Sequence, residues 1–329
     1  MRRQQFLRMV LGLGAAALLG GAAAIPSALL WRRRTLLGFG TTLTLLAGHE
    51  DEGTLDRALD AAVAALRRIE AQMSLFDPDS ALTRLNRDAV LASPPAELLE
   101  VLQIAQAVSA ASDGAFDVTV QPLWQVFAAA QRAGGLPDES QVAAARGRVG
   151  WRGLDVARDA VHLRQPGMAV TLNGIAQGYA ADQVRRVLQA HGIRHALVDT
   201  GEFAPLGQNA AARPWALGIA NPRDEQTLLA GLVSDGRCIA TSADDATSFS
   251  ADHRHHHIFD PGTGYSPTAL AAVTVAADSG AIADALTKVL FVAGPGRAFE
   301  LARAWNVDVL WVDKAGGWRA TPGLRVAAS

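Results

Sequence analysis

One cysteine, Cys238, stands in a chain of 329 residues. An intrachain disulfide is therefore impossible, and a zinc site built on thiolates is disfavoured. A basic stripe is also missing: 30 Lys and Arg are interspersed with 32 Asp and Glu, for a formal net charge of −2. That balance argues against nucleic acid as a partner. No glycine-rich stretch is followed by Gly-Lys-Ser/Thr, which excludes a Walker loop, and the dinucleotide fingerprint is absent too. Neither an internal repeat nor a low-complexity tract interrupts the chain, apart from the histidines near residue 255. Half of the residues are hydrophobic, enough for one large domain or two intimate subdomains.

Charge is also lacking from Met9 to Trp31. Arg2 and Arg3, with Phe6 and Leu7 close behind, precede this run, and Arg32, Arg33 and Arg34 follow it. A charged start, an apolar stretch and small residues at 22–24 read as an export signal over residues 1–31. The arginine pair points to twin-arginine export into the periplasm. The alternative is an uncleaved anchor, since the run is long enough to span a bilayer. No cysteine lies near residue 25, so a lipoprotein anchor is not expected. Residues 35–329 then form a single domain.

Within that domain, residues 35–48 read as a first strand. Thr54 opens an amphipathic helix on Leu55, Leu59, Leu66, Ile69 and Met73, broken by the turn-forming run Asp77-Pro78-Asp79-Ser80. Ser93 caps a second helix that starts at Pro94, and Gly114 stops it. A third helix spans 122–132, with a glycine-rich loop after it. Short strands fill 149–171, a helix runs from Asn173 to His191, and strands follow at 196–198, 215–219, 238–241 and 271–276. Helices at 281–292 and 297–305 and a strand at 307–312 complete the order. Helix pairs mixed with strand runs favour α+β over a doubly wound sheet.

Five segments carry candidate chemistry. In Met73-Ser74-Leu75-Phe76, an aromatic at a helix end could stack on a flat heterocycle; taken alone, the segment reads as a helix-ending turn. Asp117 and Thr119 alternate onto one face beyond Gly114. In Asn173-Gly174-Ile175-Ala176-Gln177-Gly178, a polar turn enters a helix whose N–H groups attract phosphate; Gly174 and Gly178 lie one turn apart and suit either a ligand or helix packing. His253, His255, His256 and His257 lead into Asp260-Pro261-Gly262-Thr263-Gly264, which offers a proton acceptor, a solvated loop or a metal-binding tract. Asp284 and Thr287 at a helix start are a beginning for a magnesium site or merely a polar first turn.

In order and spacing these segments resemble the FAD:protein FMN transferase family, the ApbE-like flavin transferases, from Phe39-Gly40-Thr41 to Trp318. The resemblance implies an α+β, T-fold-related domain with mixed or antiparallel sheets flanked by helices and an FAD cleft between two subdomains. It implies His257 as the catalytic base toward an acceptor hydroxyl. FAD would be bound by Met73, Ser74, Phe76, Asp117, Thr119, Asn173, Gly174, Ala176, Gln177, Gly178, Asp182, Thr241, Ser242, Asp260, Thr263 and Gly264. Mg2+ would be held by Asp284, Thr287 and Ala176. The implied reaction moves FMN from FAD to a Thr or Ser of an exported or membrane flavoprotein and releases AMP. A NosX-type role in nitrous-oxide respiration fits that pattern; the alternatives are a non-catalytic FAD-binding accessory protein or an FAD pyrophosphatase. The membrane would be met only through the acceptor or an uncleaved signal.

The sequence departs from the family at Lys288, where a metal-binding Thr is usual, at Asp199 and Glu202 in the Asn-x-Gly-Gly stretch, and at Gln177 in place of a common Lys. Lys288 could stand in for part of a magnesium ion, Thr287 could take over as ligand, or the metal site could be disabled. Glu202 could restore a ligand or pair with Lys288.

Overall fold

The computed structural model describes residues 7–9 and 29–327. In chain order, β1 (Leu7–Met9) precedes a hairpin of β2 (Leu30–Gly38) and β3 (Thr41–His49). Then come α1 (Glu52–Met73), α2 (Ala81–Asp88), β4 (Val90–Ala92), α3 (Ala96–Ala111), α4 (Gln121–Arg132) and α5 (Glu139–Arg146). β5 (Leu154–Val156) and β6 (Ala160–Leu163) lead to α6 (Ala176–Ala190). Six strands follow: β7 (His195–Asp199), β8 (Phe203–Leu206), β9 (Ala216–Asn221), β10 (Asp224–Val233), β11 (Cys238–Ala243) and β12 (Leu270–Ala277). The chain finishes with α7 (Gly280–Ala293), α8 (Ala298–Ala304), β13 (Asp308–Asp313), β14 (Trp318–Ala320) and β15 (Val326–Ala327).

An eight-stranded sheet in the order β14-β13-β12-β11-β8-β7-β3-β2 forms the centre. Its neighbouring strands pair antiparallel, so the architecture is α+β as expected. Every residue of β12 is buried. Its unbroken run of apolar and β-branched residues is the pattern of a strand covered on both faces. One cover is helical: Leu55, Leu59 and Leu66 of α1, Tyr179 of α6 and Phe291 of α7 share a single core. The other cover is the sheet β1-β9-β10-β15, where Trp215, Leu217, Ile219 and Leu232 pack on Leu197, Phe203, Ile239 and Leu310. A third cluster, Leu123, Phe127, Val142, Phe249 and Phe259, holds α4 and α5 to the segment after β11.

Several expectations change. The strand expected over 35–48 is a hairpin that begins at Leu30 and turns at Phe39-Gly40, both at positive φ. Consecutive positive φ values suit a two-residue turn between twisted strands, but Phe-Gly lacks the usual Asn-Gly signal. Arg32 and Arg34 lie in β2, where Arg32 pairs with Glu52 and Arg34 Nη2 lies 2.9 Å from Asp56 Oδ1. Most of the expected signal, 1–6 and 10–28, lies outside the described residues. Among the described residues no helix is long and apolar enough to cross a membrane. Asp51, rather than Thr54, caps α1, accepting the Thr54 N–H at 2.6 Å. Ser93 is not a cap, because α3 starts at Ala96 after Pro95. Residues 113–120, which carry Asp117 and Thr119, are turns, and α2 and α5 were not anticipated.

The contact that positions the site is the crossing of α6 and α7. A Cβ on Gly178 would overlap the carbonyl of Gly280, and a Cβ on Gly280 would meet the Gly178 carbonyl. Each helix also caps the other. Asp182 of α6 accepts from Gly280 N at 2.8 Å, Ala281 N at 3.1 Å and Ser279 Oγ at 2.7 Å, all at the start of α7. Asp284 of α7 accepts from Gly178 N of α6 at 3.3 Å. Carboxylates are favoured at these positive helix ends. Cys238 lies against Asp182, Sγ to Oδ1 3.5 Å. Burial, reinforced by that carboxylate, pushes its thiol pKa well up, so the lone cysteine is an inert core residue.

Gly178→Ala is expected to destabilise the fold by about 2 kcal/mol or more, because the overlap outweighs the gain in helix propensity; urea unfolding measures it. A second expectation concerns Asp199, at the end of β7, whose carboxyl burial raises from 3.8 to about 6 against the opposing Gly201 N–H bond. The folded state then holds this proton more tightly than the unfolded one. Its contribution is full below pH 3.8 and is lost as pH rises through about 6. Asp199→Asn should therefore raise Tm at neutral pH and leave it nearly unchanged in acid.

Candidate functional site

A cleft of about 330 Å³ is lined by residues from six segments. The β2–β3 turn gives Phe39 and Gly40, the turn after α1 gives Phe76, and residues 115–124 give Phe116, Asp117, Gln121 and Trp124. The entry to α6 gives Thr171, Asn173 and Gly174. Thr247, His257, Ile258, Phe259 and Lys288 complete the wall. A smaller extension reaches Met73, Ser74, Ala176 and Gln177. Of the residues expected from sequence, Phe76, Asp117, Asn173, Gly174 and His257 line the cleft, and Met73, Ser74, Ala176 and Gln177 line the small pocket that shares Phe39, Phe76 and Asn173 with it.

Phe76 is 73% exposed. Its turn is nevertheless fixed: Ser74 Oγ accepts from Phe76 N at 3.1 Å and from Asp77 N at 3.3 Å, and Ser80 Oγ donates to Ser74 O at 2.6 Å. A large ring held in water beside Phe39 is suited to stacking on a planar ligand. Phe39 N donates to Glu70 Oε1 at 2.8 Å, which anchors a backbone at φ 51, an uncommon conformation for so bulky a residue. Neither Phe39, Phe116, Trp124 nor Thr247 was singled out as a site residue in the sequence. Only the positive φ at 39 marks one of them, and that is visible only after folding.

The four histidines diverge. His256 is buried, with Nε2 3.0 Å from Pro267 O and its ring 5.8 Å from that of Phe291. Burial lowers its pKa to about 4, so it stays neutral in the core. His255 packs on Phe127 and Tyr265, at centroid distances of 5.8 and 6.2 Å. Only His257 lines the cleft. Its Nδ1 is 3.2 Å from Thr247 O. A carbonyl only accepts, so in the neutral ring Nδ1 carries the hydrogen and Nε2 keeps the basic lone pair. A metal-binding histidine tract does not form.

Lys288 also lines the cleft; it pairs with Asp284 Oδ1 and places Nζ 3.1 Å from Asp284 O. Asp284 is 1% exposed. The Lys288 stem has room because Gly174 has no side chain; a Cβ there would approach Lys288 Cε to 3.2 Å. Thr287 is buried, and its Oγ1 donates to Asp284 O at 2.6 Å and bonds Ser242 Oγ at 2.7 Å. Glu202 Oε2 accepts from Thr241 N at 3.0 Å.

Asp117 lines the cleft, but its oxygens are taken up in shaping the loop. Oδ1 accepts from Thr119 N and Oγ1 at 2.7 and 2.6 Å, and Oδ2 accepts from Trp151 N at 2.8 Å. Burial raises its pKa against those bonds.

Besides Asp284 and Thr287, eight further expected positions are not among the cleft-lining residues. Thr119 is buried behind the wall, accepting Gly150 N at 2.8 Å. Gly178 and Asp182 build the helix crossing. Thr241 bonds Thr274 across two strands at 2.9 Å, and Ser242 holds Thr287. Asp260 accepts from Gly262 N at 2.8 Å, Thr263 from Tyr265 N at 3.2 Å, and Gly264, at φ +80, turns against Val142 and Leu123. These eight shape the supports. The sequence could not separate them from lining residues, because both kinds are polar or glycine-rich.

The ApbE family model matches residues 39–311. The chain is 30% identical over 327 residues to an FAD:protein FMN transferase of Klebsiella pneumoniae, covering 94% of this chain and 93% of that protein. It is 31% identical over 289 residues to that of Salmonella typhimurium, covering 80% and 83%. The solved structure of the flavin transferase ApbE from Vibrio cholerae superposes with a TM-score of 0.77 at 26% identity, over 89% of this chain and 97% of that one. The chain belongs to the ApbE family.

Proposed function

We propose that this chain is an FAD:protein FMN transferase. The observation that carries the reading is one cleft lined by exposed and partly buried aromatic rings, an imidazole with its basic nitrogen on Nε2, and a single ammonium. The flavin ring of FAD stacks among Phe39, Phe76 and Trp124, and the diphosphate lies between His257 and Lys288. The hydroxyl oxygen of an acceptor Thr or Ser attacks the phosphorus on the FMN side. Its proton passes to His257 Nε2, the bond from that phosphorus to the bridging oxygen breaks, and AMP leaves with the bridging oxygen. Such a transfer asks little covalent work of the protein: it aligns the groups and neutralises charge.

Magnesium is the cofactor the family resemblance implies. The donors here do not fit it. Asp284 is engaged by Lys288 and by Gly178 N–H, and Thr287 by Asp284 O and Ser242. Among the described residues no group of three or more His, Cys, Asp or Glu side chains is placed to hold a metal ion. No step of the reaction is routed through one.

The N-terminal arginine pair and the uncharged run after it support twin-arginine export and a periplasmic site of action. The acceptor is then an exported or membrane flavoprotein, and one serving nitrous-oxide respiration is a consistent choice. Loss of flavin from that partner in a deletion strain tests the assignment, and normal flavinylation there refutes it.

Incubating the protein with FAD and an acceptor domain should yield acid-stable flavin and stoichiometric AMP; bound FAD without either product refutes the transferase. His257→Ala should lower the transfer rate by about 10²–10⁴-fold with FAD affinity nearly unchanged, as expected for loss of a general base. Phe76→Ala should weaken FAD binding by about 1–3 kcal/mol, the range for a lost aromatic stack, read by flavin fluorescence.

A further inference from the structure

We infer that Lys288 is a built-in cation that takes the place of a divalent metal at the diphosphate, so that this chain binds its dinucleotide without added metal. The identity of the diphosphate rests on the transferase reading; the exclusion of the metal does not. Asp284 is almost completely buried and sits where α7 meets α6. One of its oxygens takes the Lys288 ammonium and the other the Gly178 N–H. A carboxylate so occupied is a poor ligand for a second cation, and an ammonium in contact with it repels one. Thr287 does not step in, because its hydroxyl hydrogen goes to the Asp284 carbonyl and its oxygen meets Ser242 inside the core.

The same contacts aim the ammonium. Lysine has three N–H donors. Two go to Asp284, one to its side chain and one to its carbonyl, and both hold Nζ back toward α7 beside the cleft that Lys288 lines. The third donor remains for a ligand there. Gly174 is part of this arrangement, since any side chain at that position would crowd the lysine stem. The ammonium is therefore positioned before the ligand arrives, and it faces the same space as His257.

The test uses the full chain and two probes. The first is Mn2+ alone, titrated by electron paramagnetic resonance with and without FAD. The second is FAD affinity, by flavin fluorescence, in EDTA and in excess magnesium. Wild type should leave Mn2+ free, and its FAD affinity should differ less than about twofold between the two buffers. Lys288→Gln should weaken FAD binding in EDTA by about tenfold or more, the loss of one charge-assisted contact. Lys288→Thr should bind Mn2+ and make FAD affinity depend on magnesium. Near-stoichiometric Mn2+ binding by wild type overturns the inference, as does a tenfold gain of wild-type FAD affinity on adding magnesium or unchanged binding in folded Lys288→Gln. A chain that leaves Mn2+ free but transfers no flavin refutes the transferase reading while supporting the exclusion of the metal.

Discussion

Two glycines facing each other, Gly178 on α6 and Gly280 on α7, set the geometry on which the rest depends. Their missing side chains bring two helix N-termini to backbone contact. Each end then receives a carboxylate from the opposite helix, Asp182 in one direction and Asp284 in the other. Helix starts carry unsatisfied N–H groups and partial positive charge, so the exchange stabilises both. It also fixes the start of α6, and with it Asn173 and Gly174, relative to Lys288. The polar side of the cleft follows from a packing contact outside the cleft lining.

The aromatic side is built differently, from turns. Phe39 sits at the tip of a hairpin with a positive φ, and Phe76 at the end of α1, where Ser74 and Ser80 lock the chain. Loops carry these rings, but each loop is tied to a rigid helix: Phe39 through Glu70 of α1, Phe76 directly at the C-terminus of the same helix. One long helix thus sets the spacing of two rings distant in sequence. Its apolar stripe, Leu55 to Met73, is what seats it against the sheet.

That stripe was legible in the sequence because helical periodicity needs no knowledge of the partner surface. The buried strand β11, most of β12 and the helices α6, α7 and α8 were legible for similar local reasons. The hairpin turn at Phe39-Gly40 was not, since its residues carry no Asn or Asp signal and tertiary contacts with α1 hold it. At the site, the motifs pointed to the right neighbourhood, yet a motif does not say which way a side chain faces. His256 and His257 are adjacent and identical, but one lies in the core against Phe291 and the other on the cleft. Asp182 reads as a ligand candidate in the sequence and is a helix cap in the structure. The direction of a side chain is decided by which neighbours enclose it, and those neighbours are distant in the chain.

Lys288 shows why one exchanged residue does not leave its partner idle. Asp284 is held in place by Gly178 N–H and by burial, whatever stands four residues later. A buried carboxylate without a counter-charge is strongly unfavourable. A cation at this point is therefore demanded by the fold before any dinucleotide binds, and a lysine one turn along the same helix is placed to supply it. The carboxylate keeps its structural duty as the cap of α6, and the charge that satisfies it is the one facing the cleft. Removing the ammonium would then disturb two things together: the counter-charge of a core carboxylate and the positive charge lining the cleft that His257 also lines.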